Sequence, residues 1–205
     1  MIDRAGRDGA EQLRSQLLGA FPSVARAAAR QAIDLVPPAD YSPLGLIHES
    51  NNAKWPAVTF RGDDLEIPGR IYNTFPAGAF ERLAPLSRAA AGCIYTRHRD
   101  GHTRQRALGV ALSADLDWCA PFVVQLLGEY VVEICIDVEE LQTVGAMTYP
   151  NVARGLQHFA ESNPAFMALT RARATSYWSE YYRTDFPHIT TYPAIRALDQ
   201  IRRRA

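Results

Sequence analysis

The strongest constraint on the fold is a helical repeat of polar residues within residues 118–141. Every fourth residue of this run is polar, which at 3.6 residues per turn makes one slowly winding stripe along a helix. The stripe consists of Gln125, Glu129, Glu133 and Asp137. The residues around it are apolar: Phe122, Val123, Leu126, Leu127, Tyr130, Val131, Ile134 and Val138. A helix with so wide an apolar face is predicted to lie at the centre of the fold, wrapped by other helices.

Prolines and capping residues divide the rest of the chain into further helices. Pro85 lies inside a helical pattern and predicts a kink or a split there, because proline cannot donate the helix hydrogen bond. Asp115, Asp117 and Asn163 are predicted to cap helix N-termini. The apolar face of the second helix is predicted to consist of Val24, Ala28, Ala32 and Leu35. The predicted helices cover residues 12–21, 22–36, 77–98, 102–112, 118–141, 152–160, 164–183 and 193–204.

One short stretch changes from the helical period to an extended pattern. Val58-Thr59-Phe60 and Leu65-Glu66-Ile67 flank a turn sequence that contains Gly62, which predicts a small β-hairpin within residues 57–72. The predicted fold class is therefore mainly α, as a single-domain helical bundle or a short HEAT-like array, with one small β-hairpin. Residues 1–36 are predicted to form an N-terminal helical pair, which the loop 37–55 allows to be semi-detached. Residues 37–76 form the loop and hairpin, and residues 77–205 form the helical core.

Part of the chain resembles known sequence patterns. Residues 101–141 resemble a HEAT-type helical hairpin, in the Asp100-Gly101 turn, in Thr103-Arg104 followed by Ala107-Leu108, and in the series Trp118, Pro121-Phe122 and Leu126-Leu127. One such unit does not make a solenoid, because repeats need neighbours to bury their faces. The runs PFVVQLLGEYVVEI and SYWSEYYR resemble runs in bacterial proteins of unknown function, which implies no particular activity.

Charge and cysteine content narrow the class of protein. The 22 basic and 22 acidic side chains give zero net charge, which argues against a nucleic-acid binder that is basic overall. Residues 107–153 hold seven acidic residues and no basic one, and basic segments flank them in sequence. The three cysteines lie in apolar, helix-like contexts, which favours a reducing cytoplasmic compartment. The N-terminus lacks the apolar run of a signal peptide, and residues 118–132 are too short and too polar to span a bilayer.

The densest polar cluster is the run of residues 97–106. Its four guanidinium groups stand at a turn that opens a helix, where backbone N–H groups also favour anions, so the cluster is a candidate phosphate site. The alternative is a solvated turn whose arginines pair with the acidic residues of 118–141. The candidate ligand-binding residues of this cluster are Arg97, Arg99, Arg104 and Arg106.

The polar stripe and two histidines supply candidates for acid–base chemistry. If the chain is an enzyme, Glu129 and Glu133 would act with His98 or His102 as catalytic groups. The stripe is also expected to face solvent or to pair with arginines, since an unpaired buried carboxylate is costly. The sequence shows no nucleophile elbow, phosphate-binding glycine loop or Cys-x-x-Cys pair, and it predicts neither a metal site nor a cofactor.

Aromatic residues cluster near the end of the helix predicted for residues 164–183. Tyr177 and Tyr181 are four residues apart, as are Trp178 and Tyr182, and Arg183 follows them. Such a run is most typical of core packing in which hydroxyl tips reach polar partners. It also suits a protein interface, or a nucleic-acid or small-ligand site built on Tyr177, Trp178, Tyr181 and Arg183.

Three functions follow from these patterns. The leading hypothesis is a non-enzymatic cytosolic helical protein that binds another protein or a second copy of itself. The second is an enzyme on a helical scaffold that acts on an anionic substrate held by Arg97, Arg104 or Arg106. The third is a nucleic-acid-binding module that uses residues 97–106 and the C-terminal arginines. No membrane partner is predicted.

Overall fold

The chain is mainly helical in the computed structural model, which describes residues 4–37, 55–143 and 147–204. Within these ranges the sheet has two strands, so the predicted fold class of helices with one small hairpin is confirmed. No helix of the described ranges combines the length and the hydropathy needed to cross a membrane. The helices are α1 Arg4–Gly19, α2 Arg26–Ile33, α3 Ala77–Phe80, α4 Pro85–Tyr95, α5 Gly101–Leu112, α6 Ala120–Leu126, α7 Val132–Thr143, α8 Pro150–Ser162, α9 Pro164–Tyr177 and α10 Pro193–Arg204, and the strands are β1 Val58–Phe60 and β2 Asp63–Leu65.

Contacts group the chain into two compact units. The first contains Met1–Ala57 and Arg61–Ala114, and the second contains Val58–Phe60 and Asp115–Ala205. The N-terminal helices α1 and α2 thus belong to the same unit as α4 and α5, and the semi-detached N-terminal pair stays a prediction. The loop predicted for residues 37–55 lies mostly outside the described residues. The HEAT-type resemblance also stays a prediction, although residues 101–112 and 120–126 are helical as that pattern requires.

Small residues let the helices of the first unit approach closely. Pro85 starts α4 at its first turn, which splits the helix predicted for residues 77–98 as expected. Gly92 of α4 lies against α5 so tightly that a Cβ there would stand 2.3 Å from the backbone nitrogen of Ala111.

The predicted apolar face of α2 is wrong in three of its four positions, because Val24 and Leu35 are exposed and Ala28 is half-buried. The buried residues of this segment are Ala25, Ala29, Ala32 and Ile33.

The hairpin turn has the left-handed backbone that joins two antiparallel strands. Arg61 and Gly62 both have positive φ, at 52° and 85°. The second strand begins at Asp63 rather than at the predicted Leu65. The Asp63 carboxylate accepts hydrogen bonds from the backbone N–H and the hydroxyl of Ser23 at 2.9 Å each. These bonds hold the pKa of Asp63 below its usual value and fix the hairpin turn to the start of the 3-10 turn that precedes α2.

The predicted continuous helix of residues 118–141 is wrong. The chain forms a 3-10 turn at Asp117–Cys119, then α6, then a break at residues 127–131, and then α7. The last turn of α6 tightens: the N–H groups of Leu127, Gly128 and Glu129 each donate to the carbonyl three residues earlier. Gln125 and Glu129 therefore do not share a helix with Glu133 and Asp137, and the four residues do not form one stripe.

Side chains from elsewhere in the second unit satisfy the carbonyl groups that this break exposes. The guanidinium of Arg173 in α9 donates from Nε to the Gly128 carbonyl at 3.0 Å. The hydroxyl of Tyr182, just beyond α9, donates to the carbonyl of Tyr130. A helix end needs such partners for its unpaired carbonyl groups. The break between α6 and α7 is thus stabilised by side chains that lie much later in the sequence.

Two of the predicted caps act on other elements. Asp115 lies in the left-handed region with φ 46°, and its carboxylate accepts from the backbone N–H groups of Asn151 and Val152 at 3.0 Å, so it caps α8. Asn163 precedes α9, but its side chain makes no cap there. Its amide instead pairs with both backbone groups of Thr59, accepting at 2.8 Å and donating at 2.9 Å. Both side chains therefore connect segments distant in sequence.

Candidate functional site

Two of the four arginines in the predicted phosphate cluster are interior residues. Arg97 is only 2% exposed, and its guanidinium donates to the carbonyl oxygens of Pro68 and Gly69 at 2.7–3.0 Å. Arg104 is 0% exposed and donates to the carbonyl oxygens of His98 and Arg99 at 2.9 and 2.8 Å. These bonds hold the turn between α4 and α5 and the chain after β2. Neither guanidinium is presented to an anion in solution.

The other two arginines of the cluster are exposed and lie against aromatic rings. The Arg99 guanidinium carbon lies 5.8 Å from the ring centroid of Tyr72. The Arg106 guanidinium carbon lies 5.6 Å from that of Phe75. Such cation–π contacts use the flat face of the guanidinium and leave its edge in solvent. The predicted group of four is thus divided into two buried and two exposed arginines.

His98 is a buried histidine whose Nδ1 atom is hydrogen-bonded. Its Nδ1 accepts a hydrogen bond from the backbone N–H of Asp100 at 3.1 Å, and its ring stacks on Tyr95 at 6.1 Å between centroids. Burial lowers the pKa of His98, Arg99 and Arg104 lower it further, and the Asp100 carboxylate opposes them. His102, on the first turn of α5, is exposed. The geometry gives His98 a structural role in the turn between α4 and α5.

This lowered pKa predicts that mild acid destabilises the first unit. Because the folded state holds the His98 proton less tightly than the unfolded state, stability is lost as the pH falls below the ordinary value of 6.5. Protonation also places a second donor opposite the Asp100 N–H. We expect His98→Asn, which keeps an acceptor at that position, to remove this loss between about pH 7 and pH 5. Urea unfolding across this range is the measurement.

The control for this prediction is His102→Asn, which replaces an exposed histidine on the same turn. It should leave the slope of stability against pH unchanged. The Asp63 and Asp100 carboxyls, whose pKa values are lowered by hydrogen bonds, contribute only in more acidic solution, below their ordinary value of 3.8. An unchanged slope in His98→Asn would contradict the assignment.

The candidate catalytic carboxylates lie in the second unit, whereas both histidines lie in the first. Glu129 is buried in the break between α6 and α7. Glu133, in the first turn of α7, is exposed, and Asp137 is half-buried. Glu139 of α7 forms an ion pair with Arg196 at 2.5 Å. Among the described residues no three histidine, cysteine, aspartate or glutamate side chains form a group that could hold a metal ion.

The second unit carries a surface row of tyrosine rings. Tyr130 lies 6.2 Å from Tyr177, Tyr177 lies 6.3 Å from Tyr181, and Tyr181 lies 6.5 Å from Tyr182, between ring centroids. Tyr181 is 64% exposed and Tyr130 is 47% exposed, while Tyr177 and Tyr182 are half-buried. We call these four residues the tyrosine surface. The interpretation of this run as core packing does not describe Tyr181, which faces solvent.

The backbone beneath this surface departs from the α-helix. Residues Trp178–Tyr182 form a π-helical turn that continues α9. Such turns are rare and occur frequently at functional sites. Trp178 donates from its ring nitrogen to the carbonyl of Phe186 at 2.8 Å, and the Arg183 guanidinium lies 5.5 Å from the Trp178 ring centroid. These contacts hold the residues that follow the π-helical turn against Trp178 at its start.

Sequence reasoning found two of the four members of the tyrosine surface as site candidates. Tyr177 and Tyr181 were predicted as ligand-binding residues from their helical spacing. The sequence places Tyr130 on the apolar face of one long helix, and it includes Tyr182 in the aromatic run but not among the candidate ligand-binding residues. Gly128 is the local signal that could have placed a break before Tyr130, because glycine weakens a helix interior.

No protein-family model, curated protein or solved structure matches the chain. Its function is therefore inferred from the chemistry of its own side chains.

Proposed function

We propose that the chain is a non-enzymatic cytosolic protein that binds another protein through the tyrosine surface. The observation that carries the proposal is the continuous row of ring contacts from Tyr130 through Tyr177 to the 64% exposed ring of Tyr181. Large exposed aromatic groups are unusual on a surface that contacts only water. Tyrosine is enriched in interfaces because it offers a broad apolar face and a hydroxyl group at little cost in conformational entropy.

The arrangement of the surface supports contact with a macromolecule. Its rings are held before binding, since Tyr182 is bonded to the Tyr130 carbonyl and Arg173 lies 6.0 Å from the Tyr177 ring centroid. A preorganised surface loses less freedom on association and so binds more tightly for the same contact area. Two of its rings, those of Tyr181 and Tyr130, are largely exposed, which suits contact with a protein better than enclosure of a small molecule.

The state of the cysteines supports the cytosolic location. Cys93, Cys119 and Cys135 are all buried as thiols. Burial raises the pKa of the Cys135 thiol to about 12, and nearby carboxylates raise it too, so this thiol stays protonated and unreactive. Three thiols kept in the core as small apolar groups are typical of a reducing compartment.

Replacing Tyr181 is expected to weaken partner binding strongly. The partner is first identified by placing a photoreactive p-benzoylphenylalanine at position 181 in cells and recovering the adduct; an adduct of two copies of this chain would identify self-association. With the purified partner, Tyr181→Ala should raise Kd about thirtyfold, as expected for a central aromatic residue of an interface. Titration calorimetry is the measurement.

The matched control is Met147→Ala, which removes another exposed apolar side chain of the second unit, 93% exposed. It should change Kd by less than about twofold, as do most residues outside the energetic centre of an interface. Equal effects of Tyr181→Ala and Met147→Ala would contradict the proposed surface.

A further inference from the structure

We infer that the partner presents a cationic segment, bearing arginine or lysine side chains, to the tyrosine surface. This inference rests on the proposed function and names the chemistry of the partner. It follows from which charged side chains of α9 and of the neighbouring segments have partners within the chain. The arginines Arg171, Arg173 and Arg183 have partners within the chain, whereas among the described residues the carboxylates of Glu133, Glu180 and Asp185 make no ion pair.

The two arginines of α9 and Arg183, which follows the π-helical turn, each have a partner inside the second unit. Arg171 forms an ion pair with Asp199 at 2.6 Å. Arg173 donates to the Gly128 carbonyl at 3.0 Å. Arg183 lies 5.5 Å from the Trp178 ring centroid. A binding partner that carried carboxylates or phosphates would have to compete with these contacts.

Three exposed carboxylates lie near members of the tyrosine surface in sequence. Glu180 immediately precedes Tyr181, Asp185 follows the π-helical turn, and Glu133 lies in the first turn of α7, three residues after Tyr130. Within the described ranges, none of the three makes a hydrogen bond from its side chain or an ion pair. Glu133 lies close enough to the Tyr182 hydroxyl to raise its pKa, after the larger effect of burial. Glu133 thus lies beside the rings, and Glu180 and Asp185 lie within three residues of Tyr181 and Tyr182 in sequence. We call these three carboxylates the acidic border.

Rings with an acidic border suit a cation. The negative face of a tyrosine ring attracts a guanidinium or an ammonium group, and a nearby carboxylate strengthens the attraction. The chain itself shows this contact, since the Arg173 guanidinium carbon lies 6.0 Å from the Tyr177 ring centroid. Tyr181, the most exposed ring of the surface, can receive a cation from outside in the same way. Complementary charge of this kind speeds association and selects partners.

The test uses the full chain and synthetic probe peptides. The probe is a short labelled peptide of alternating arginine and glycine, and binding is measured by fluorescence anisotropy. One comparison peptide has citrulline, a neutral isostere, in place of each arginine, and another has glutamate. We expect the arginine peptide to bind at least about tenfold more tightly than either comparison peptide. Its affinity should fall as the salt concentration rises from about 0.01 M to about 0.15 M.

Neutralising the acidic border should weaken the binding of the arginine peptide. The double variant Glu133→Gln with Glu180→Gln is expected to raise the Kd of the arginine peptide by about threefold to tenfold. The matched control is Glu140→Gln with Glu161→Gln, which removes two other exposed carboxylates of the same unit. It should change Kd by less than about twofold, because these carboxylates lie outside the border.

The outcomes separate this inference from the proposed function. The inference of a cationic segment would be overturned if the three peptides bound equally well. It would also be overturned if the Glu133 and Glu180 double variant changed the Kd of neither the arginine peptide nor the crosslinked partner. If Tyr181→Ala still weakened the crosslinked partner in that case, the proposed interaction surface would stand. If Tyr181→Ala changed the Kd of neither the arginine peptide nor the partner, both the proposed interaction surface and the cationic segment would be wrong. Tighter binding of the glutamate peptide would reverse the assigned chemistry.

Discussion

Gly92→Ala is expected to lower the free energy of unfolding of the first unit by about 3 kcal/mol. The added methyl carbon would stand 2.3 Å from the Ala111 backbone nitrogen and 2.7 Å from the Ala111 Cα atom, so α4 and α5 would have to move apart. Backbone atoms cannot turn aside as a flexible side chain can. The measurement is unfolding in guanidinium chloride, followed by circular dichroism.

The matched control is Gly109→Ala, a change of the same size in α5 of the same unit. Nothing lies within 4 Å of a Cβ at Gly109, and the residue is exposed. Alanine favours the helix there, so stability should rise by about 0.5–1 kcal/mol. If the two variants shifted stability in the same direction by similar amounts, the close approach of α4 and α5 would be wrong.

Arg97→Ala is expected to cost about 3 kcal/mol of stability as well. The guanidinium makes three hydrogen bonds to the carbonyl oxygens of Pro68 and Gly69. Its removal leaves those two carbonyl groups without these donors and opens a cavity where the side chain was. Arg97→Lys should recover only part of the loss, because one ammonium group cannot reproduce the planar fork.

Arg99→Ala is the control for this prediction. Arg99 is exposed, and its removal gives up a cation–π contact with Tyr72, which is worth about 0.5–1 kcal/mol at a surface. Thermal unfolding of both variants is the measurement. A stable Arg97→Ala variant would contradict this structural role of Arg97.

The elements whose ends are set by local chemistry could be predicted from the sequence. Pro85 starts α4 because its ring fits only the first turn of a helix. The predicted turn at Asp100-Gly101 is followed by α5, which begins at Gly101, one residue before the predicted start. The hairpin was predicted from Gly62 in its turn, although the second strand begins two residues earlier than expected. In each case the residue that decides the boundary lies within a few positions of it.

The elements that depend on distant contacts could not be predicted. The repeat of polar residues continues through Gly128, so the pattern favours one helix. The break is stabilised by Arg173 and Tyr182, which are 45 and 52 residues further along the chain than their carbonyl partners. The candidate site shows the same limit, because Arg97 and Arg99 look alike in sequence although only Arg99 is exposed.

The tyrosine surface is built from two stretches of chain that are far apart in sequence. A peptide copied from residues 164–183 would carry Tyr177, Tyr181 and Tyr182 but not Tyr130, and it would lack the Gly128 carbonyl that Arg173 binds. The surface is therefore a discontinuous epitope. An antibody that covers it would recognise the folded chain and not a denatured blot, so such a reagent would report directly whether the surface is assembled in cells.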